Sequence, residues 1–262
     1  MKKKNDPLRL RVGAVQMHCE MNLSRNAAAI LAWIEQAAER QAQLIVFPEC
    51  ALTGYPLNRR QHRFKEASAG QINSAMQLIR AKAEECNMAV AVGSAWPEGG
   101  VWFNRSWLIA PTGHELGYYD KTHLMPLDEH CFQPGEAFHA WKLLGVKTGM
   151  LICKDHRYPE AWRAMKRRGA QVVCHLSAAY GDGAWKLPVL EGVLRARASE
   201  NGFFIVSAND AGAPQMLQSA IYDPEGLILA QANYCKEELI TAEISLDRVR
   251  KGFPPREPEF YQ

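Results

Sequence analysis

The sequence predicts an α/β fold built as a four-layer αββα sandwich, with two sheets packed face to face and helices on the outside. Three observations carry this expectation. Short apolar runs alternate with stretches of helical periodicity along most of the chain, which implies βαβ units with right-handed crossovers. The two halves also echo each other: Ser106, Leu108, Pro111, Gly113 and Leu116 have the same offsets as Ser219, Ile221, Pro224, Gly226 and Leu229. Hydrophobic residues make up 47% and charged residues 23% of 262, enough apolar surface to bury a large core. Taken alone, the echo is what two unrelated hairpins with ordinary Pro-x-Gly turns would give. With the repeated strand-helix order it suggests two similar halves in one domain covering residues 1–262.

In chain order, Leu8, Leu10, Val12 and Ala14 alternate with Arg9, Arg11 and Gly13, a first strand with one buried face. Asn22 is placed to cap a helix whose Leu23, Ala27, Ile30, Ile34 and Ala37 line one side. Leu44-Ile45-Val46-Phe47 reads as a buried parallel strand that Pro48 ends, leaving Glu49 just past its carboxyl end. A helix over 72–85 and strands at 88–94, 102–110 and 116–119 follow. A loop of about twenty residues then leads to a strand at 146–153, a helix at 159–168 and a strand at 171–176. Next come a helix at 189–200, a strand at 203–208 and three last strands at 219–222, 227–231 and 238–244.

Composition excludes several functions. The net charge of +3 is dispersed, and the densest basic runs, Lys2-Lys3-Lys4 and Lys166-Arg167-Arg168, are short and lack interleaved aromatics, so no nucleic-acid partner is expected. Arg9 and Arg11 interrupt the apolar stretch after the first lysines, so no signal peptide is expected, and no apolar run is long enough for a membrane anchor. Seven cysteines with no C-x-x-C pair argue against disulfides and a zinc knuckle, and fit a reducing, cytoplasmic setting. The neighbours His18-Cys19, His130-Cys131 and Cys174-His175 point to opposite faces if they lie on strands, so neither a metal nor another cofactor is expected.

Three segments place a reactive side chain just past a strand, where α/β folds put their ligand sites. They are Phe47-Pro48-Glu49-Cys50-Ala51-Leu52-Thr53-Gly54-Tyr55, Tyr119-Asp120-Lys121-Thr122-His123-Leu124 with the following Asp128 to Gly135, and Gly149 to Glu160 around Ile152-Cys153-Lys154-Asp155. The set resembles the carbon-nitrogen hydrolase (nitrilase) superfamily, whose signatures are F-P-E with a downstream G-Y, an isolated Lys opening a loop, and I-C-x-D followed by P-E. All three occur in the family's order, and Arg195-Ala196-Arg197-Ala198-Ser199-Glu200-Asn201 and Asp223-Pro224-Glu225-Gly226 extend the resemblance. It implies the nitrilase type of αββα sandwich, catalysis by Glu49, Lys121 and Cys153, a second glutamate at Glu129, and a homodimer packed through outer helices.

Residue chemistry agrees with these types. A thiol becomes a strong nucleophile as thiolate, which a neighbouring cation favours and a carboxylate generates by taking the proton. Glu49 is thus the expected base and Lys121 the cation. Lys121 and the backbone N–H of Lys154 are the expected oxyanion donors, and Glu129 would orient Lys121 or the substrate. Without the other segments Cys153 would read as an inert core residue and Glu49 as a loop carboxylate. The remaining cysteines, Cys50 and Cys131 among them, read as core. His175 ends a strand on the same edge as Cys153, where it lines the pocket or is simply hydrogen-bonded. Arg197 and Glu200 read as a helix tie.

The residue after the nucleophile, often aromatic or small and polar in the family, is Lys154, and Leu217 stands where a Gly commonly precedes x-Ser-x-Ile. If Lys154, His156 and Arg157 face the pocket, substrates bearing a carboxylate are preferred; otherwise only the backbone of Lys154 does. The resemblance and the short chain point to hydrolysis of a small linear amide or N-carbamoyl compound. Nitrile hydrolysis, acyl transfer and a non-catalytic binding module of the same fold are the alternatives.

Overall fold

The computed structural model describes residues 8–56 and 66–249; the run Lys2-Lys3-Lys4 and the ends of the expected 1–262 domain lie outside them. The first half contributes β1 (Arg9–Gln16), α1 (Leu23–Glu39), β2 (Leu44–Val46), α2 (Ala69–Glu85), β3 (Ala89–Glu98), β4 (Val101–Ile109) and β5 (Glu115–Asp120). The second contributes β6 (Ala140–Leu143), β7 (Val146–Ile152), α3 (Pro159–Arg167), β8 (Val172–Ser177), α4 (Leu187–Asn201), β9 (Phe204–Asn209), β10 (Ala220–Tyr222) and β11 (Ile228–Gln231). The chain then crosses back as β12 (Glu238–Ser245).

Two six-stranded sheets result, ordered β12-β1-β2-β3-β4-β5 and β11-β10-β9-β8-β7-β6. In each, three central strands run parallel and the rest pair antiparallel: β1, β2 and β3 in one, β7, β8 and β9 in the other. The hairpins β4–β5 and β10–β11, which carry the echoed Pro-x-Gly turns, each show a register shift in the same place, at Leu108/Ile109 and Ile221/Tyr222. The halves therefore share one strand order, as the echo suggested.

Alternation along the strands makes the layers. Val12, Ala14, Leu44, Val46, Ala89 and Ala91 turn one face of the first sheet toward the second, into a core shared with Val172, Cys174, Val206 and Ala208. Val15, Ile45, Phe47, Val90 and Val92 turn the other face toward α1 and α2, against Ile30, Ile34, Ile72, Met76 and Ile79. Asn22 caps α1 by accepting from the N–H of Arg25, and Ser68 with Gln71 forms a capping box on α2.

Two features go beyond the sequence reading. Residues 140–143, expected within a loop, form β6, which pairs antiparallel with β7 across a two-residue turn at Leu144 and Gly145, both at positive φ (51° and 81°). The final strand, which the sequence reading assigned to neither sheet, joins the first by pairing antiparallel with β1 from Arg9↔Ser245 to Gln16↔Glu238. Among the described residues no helix is long and apolar enough to cross a membrane, and no group of three or more His, Cys, Asp or Glu side chains could hold a metal ion.

Candidate active site

Glu49 sits in a tight turn after β2. Gly54 N–H and Thr53 N–H both donate to the Cys50 carbonyl, and Cys50 takes φ +49°. The turn lies so close over β3 that a Cβ on Gly93 would come within 2.8 Å of the Cys50 nitrogen, so only glycine fits there. The Glu49 carboxylate is fully buried and has three donors: Lys121 Nζ (2.6 Å) and Asn104 Nδ2 (2.7 Å) on Oε1, and the Ala178 N–H (3.0 Å) on Oε2. Glu49 N–H also reaches the Ser177 carbonyl at 3.3 Å, so this residue ties the first sheet to the end of β8.

Lys121 follows β5 directly and is buried to 0% exposure. Its N–H donates to the Asn104 carbonyl, and its Nζ bridges Glu49 and Asp128, the latter at 2.7 Å. Asp128 is itself fixed by Tyr55 Oη (2.7 Å) and the Met125 N–H (2.9 Å). Here the structure corrects one expectation: Asp128, not Glu129, meets Lys121. Residues 128–130 form a 3-10 turn, in which adjacent side chains diverge, so Asp128 turns inward while Glu129 is exposed.

Cys153 is not the end of the strand, as the sequence suggested, but opens a 3-10 turn (Cys153–Arg157) after β7, with φ +41°. Such a left-handed conformation is costly for a non-glycine residue and is held by its surroundings. Asp155 supplies the hold: Oδ2 accepts from the Ile152 N–H and Tyr119 Oη (both 2.8 Å), while Oδ1 accepts from the His123 N–H and Thr122 Oγ1 (both 3.2 Å). The elbow is thereby locked to the loop that carries Lys121. Ser177 Oγ donates to Cys153 Sγ at 3.6 Å, so Ser177 and Ala178 touch both the thiol and Glu49.

Electrostatics assign the resting charges. Burial pulls the Lys121 ammonium down, but Glu49 and Asp128 outweigh it and hold the group well above its ordinary value, so it stays charged. Burial raises the Glu49 carboxyl; Lys121 opposes this and Asp128 adds to it. Burial, then the Glu49 carboxylate, pushes the Cys153 thiol up to about 12, against the pull of Lys121 and the hydrogen bonds of Ser177 and Ala178. The resting nucleophile is therefore a thiol, not the thiolate that a lysine neighbour alone would favour.

His175 is corrected too. It is fully buried in β8, with Nε2 on the Cys153 carbonyl (3.1 Å) and Nδ1 on Ser207 Oγ (2.9 Å), so neither nitrogen is left to line a pocket. Lys154 directs Nζ to the Leu124 carbonyl (2.6 Å), His156 is buried with its ring on the Cys153 carbonyl, and Arg157 is exposed. The Lys154 and His156 side chains are thus committed to backbone carbonyls. Arg197 pairs with Glu200 at 3.0 Å and donates to the His156 carbonyl, a helix tie as expected. Sequence reading assigned no role to Asn104, Asp128 or Ser177. A small apolar cluster of Cys50, Tyr55, Ala95, Cys131, Phe132 and Ala178, flanked by Met21, Trp102, Leu124 and Tyr180, adjoins these groups.

Comparison with known proteins gives one consistent picture. A family model described as carbon-nitrogen hydrolase matches residues 11–252. A nitrilase from Pyrococcus abyssi is 28% identical over 96% of this chain and 99% of its own. An (R)-stereoselective amidase from a Pseudomonas species is 32% identical over 87% of this chain and 81% of its own. Among solved structures, a variant of the amidase from Nesterenkonia sp. AN1 superposes with a TM-score of 0.82 at 26% identity, covering 92% of both chains. Its active-site cysteine carries the acetamide moiety of fluoroacetamide.

Proposed function

This chain belongs to the carbon-nitrogen hydrolase family and is a cysteine-dependent hydrolase of carbon–nitrogen bonds; we propose that it cleaves a small linear amide or N-carbamoyl compound through a thioester on Cys153. The observation that carries the reading is the buried Glu49–Lys121–Asp128 chain, which meets the thiol elbow through Ser177 and Ala178.

The resting charges dictate the order of events. As substrate arrives, Cys153 gives its proton to Glu49 and the sulfur attacks the carbonyl carbon. An ammonium has three N–H donors, and Lys121 spends two on Glu49 and Asp128, which leaves one for the developing oxyanion. The Lys154 N–H, next in the chain to the nucleophile, is the second donor. Glu49 then protonates the leaving amine as the C–N bond breaks. A water molecule gives its proton to Glu49 and attacks the thioester, and the sulfur leaves with that proton.

Tethering of Lys154 to the Leu124 carbonyl leaves its ammonium committed elsewhere, and the apolar cluster beside the site adds no charge, which together favour an uncharged acyl group. The amidase from Pseudomonas and the amidase from Nesterenkonia support an amide, whereas the nitrilase from Pyrococcus keeps nitriles in view. Ammonia release measured across small amides, ureido acids and nitriles tests the reading, with Cys153→Ala as control. Turnover of amides or ureido acids that disappears in a folded Cys153→Ala variant is expected. Activity on nitriles alone, or undiminished turnover in the variant, would overturn it.

A further inference from the structure

The carbonyl oxygen of Cys153 is held by two imidazoles. His175 places Nε2 3.1 Å from it and His156 places Nδ1 2.5 Å from it, with the rings edge to face and their centroids 5.9 Å apart. A carbonyl oxygen only accepts, so the ring nitrogen facing it carries the proton. His175 is therefore the Nε2–H tautomer and accepts the Ser207 hydroxyl at Nδ1, while His156 is the Nδ1–H tautomer. Burial lowers both rings, His175 to about 4 and His156 to about 3, so each is neutral and offers one N–H.

Satisfying a backbone carbonyl does not require two such donors. The second has a cost as well, because His156 Nε2 is left buried with no hydrogen-bond partner among the described residues. The peptide unit that begins with this carbonyl ends in the N–H of Lys154. Hydrogen bonds accepted at an amide oxygen draw charge across the resonant C–N bond and make the N–H of the same unit a stronger donor. They also fix the plane of the unit, and so the direction of that N–H, at a residue with φ +41°.

We propose that His156 and His175 are positioning residues of the oxyanion hole, which clamp and polarise the Cys153–Lys154 peptide so that its N–H meets the tetrahedral intermediate. This rests on Cys153 as nucleophile and on the Lys154 N–H as oxyanion donor.

The test compares amide turnover with alkylation of Cys153 by iodoacetamide. In alkylation the S–C bond forms as the C–I bond breaks, iodide leaves and the thiol proton passes to Glu49; no oxyanion develops. His175→Leu and His156→Leu are expected to lower kcat by about tenfold each, with KM little changed and the alkylation rate within about twofold of the parent enzyme. Side-chain amides sharpen the test. The Gln amide nitrogen overlies imidazole Nε2 and the Asn amide nitrogen overlies Nδ1, so kcat should recover in His175→Gln but not His175→Asn, and in His156→Asn but not His156→Gln. This crossed pattern reads out even if a leucine variant fails to fold. Equal slowing of turnover and alkylation means that the rings only support the elbow, and overturns the proposal. So does unchanged kcat in the leucine variants, or equal activity of Asn and Gln at both positions. Parent enzyme that neither alkylates at Cys153 nor turns over amides would instead remove the underlying reading, and this proposal with it.

Discussion

Lys121 sits between two carboxylates in a site with no exposed surface, so the trio carries one net negative charge in a poorly solvated volume. Burial first, with Asp128 adding to it, makes Glu49 a stronger base than an ordinary glutamate, and burial, then the Glu49 carboxylate, keeps the proton on the thiol until substrate arrives. The base works only when ionised, so the acid limb of kcat/KM should lie above the ordinary glutamate value of 4.5. Asp128 contributes to the rise, so Asp128→Asn should move the limb to lower pH. It should also lower kcat by about tenfold or more, since Lys121 loses one of the two groups that aim it. A pH–rate profile of both proteins checks the sign: a limb that stays put or moves up contradicts the assignment. Glu49, Lys121 and Cys153 were legible in sequence because each follows a strand within a motif. Asp128 was not, since a one-residue register inside a 3-10 turn leaves no hydrophobic period to read. Asn104 looked like any polar residue of a strand; its partner Glu49 lies 55 residues away.

At the scale of elements, the echoed hairpins do the same job in each half. Gly113, in the β4–β5 turn, has φ +72°, and a Cβ there would lie 2.8 Å from the Arg80 carbonyl of α2. Gly226, in the β10–β11 turn, has φ +81°, and a Cβ would lie 2.6 Å from the Arg195 carbonyl of α4. Each hairpin thus docks its turn on the backbone of the helix that precedes it by two elements, and the offsets seen in sequence are a packing requirement. Gly113→Ala should cost about 1–3 kcal/mol in urea unfolding, from positive-φ strain and backbone collision together. Activity per folded molecule should hold, since Lys121 lies beyond the opposite end of β5. A loss below about 0.5 kcal/mol would show that the contact is not required. The hairpin β6–β7 escaped sequence reading for a related reason. Its two-residue turn puts Leu144 at φ 51°, where asparagine or glycine is the usual signal, so nothing in Leu144-Gly145 announced a reversal tight enough to make 140–143 a strand.

Across the whole molecule, the site exists only where the halves meet. Glu49 and Lys121 come from the first sheet, Cys153, Ser177 and Ala178 from the second. The return of β12 to pair with β1, invisible to periodicity because either sheet could have received it, joins the last described strand to the first. Support for the elbow reaches further into the second half, through His175 to Ser207 on β9. That support carries a pH signature in folding. Below the ordinary histidine value of 6.5 the unfolded chain takes up a proton on His175, whereas the folded protein declines it until about 4. The unfolded state then binds more protons, so stability rises with pH across this window and is lost on acidification, by about 1.4 kcal/mol per pH unit for the one ring. Glu49 and Asp120, raised by burial, act in the opposite sense, because their folded forms hold protons that the unfolded chain has released. A difference measurement isolates the histidine. His175→Gln keeps an N–H at the Nε2 position and cannot be protonated, so its unfolding free energy, followed in urea between pH 6 and 4, should fall less steeply than that of the parent protein by about 1.4 kcal/mol per pH unit. Parallel curves for the two proteins would mean that His175 titrates alike folded and unfolded, and is not the buried, neutral partner of the Cys153 carbonyl.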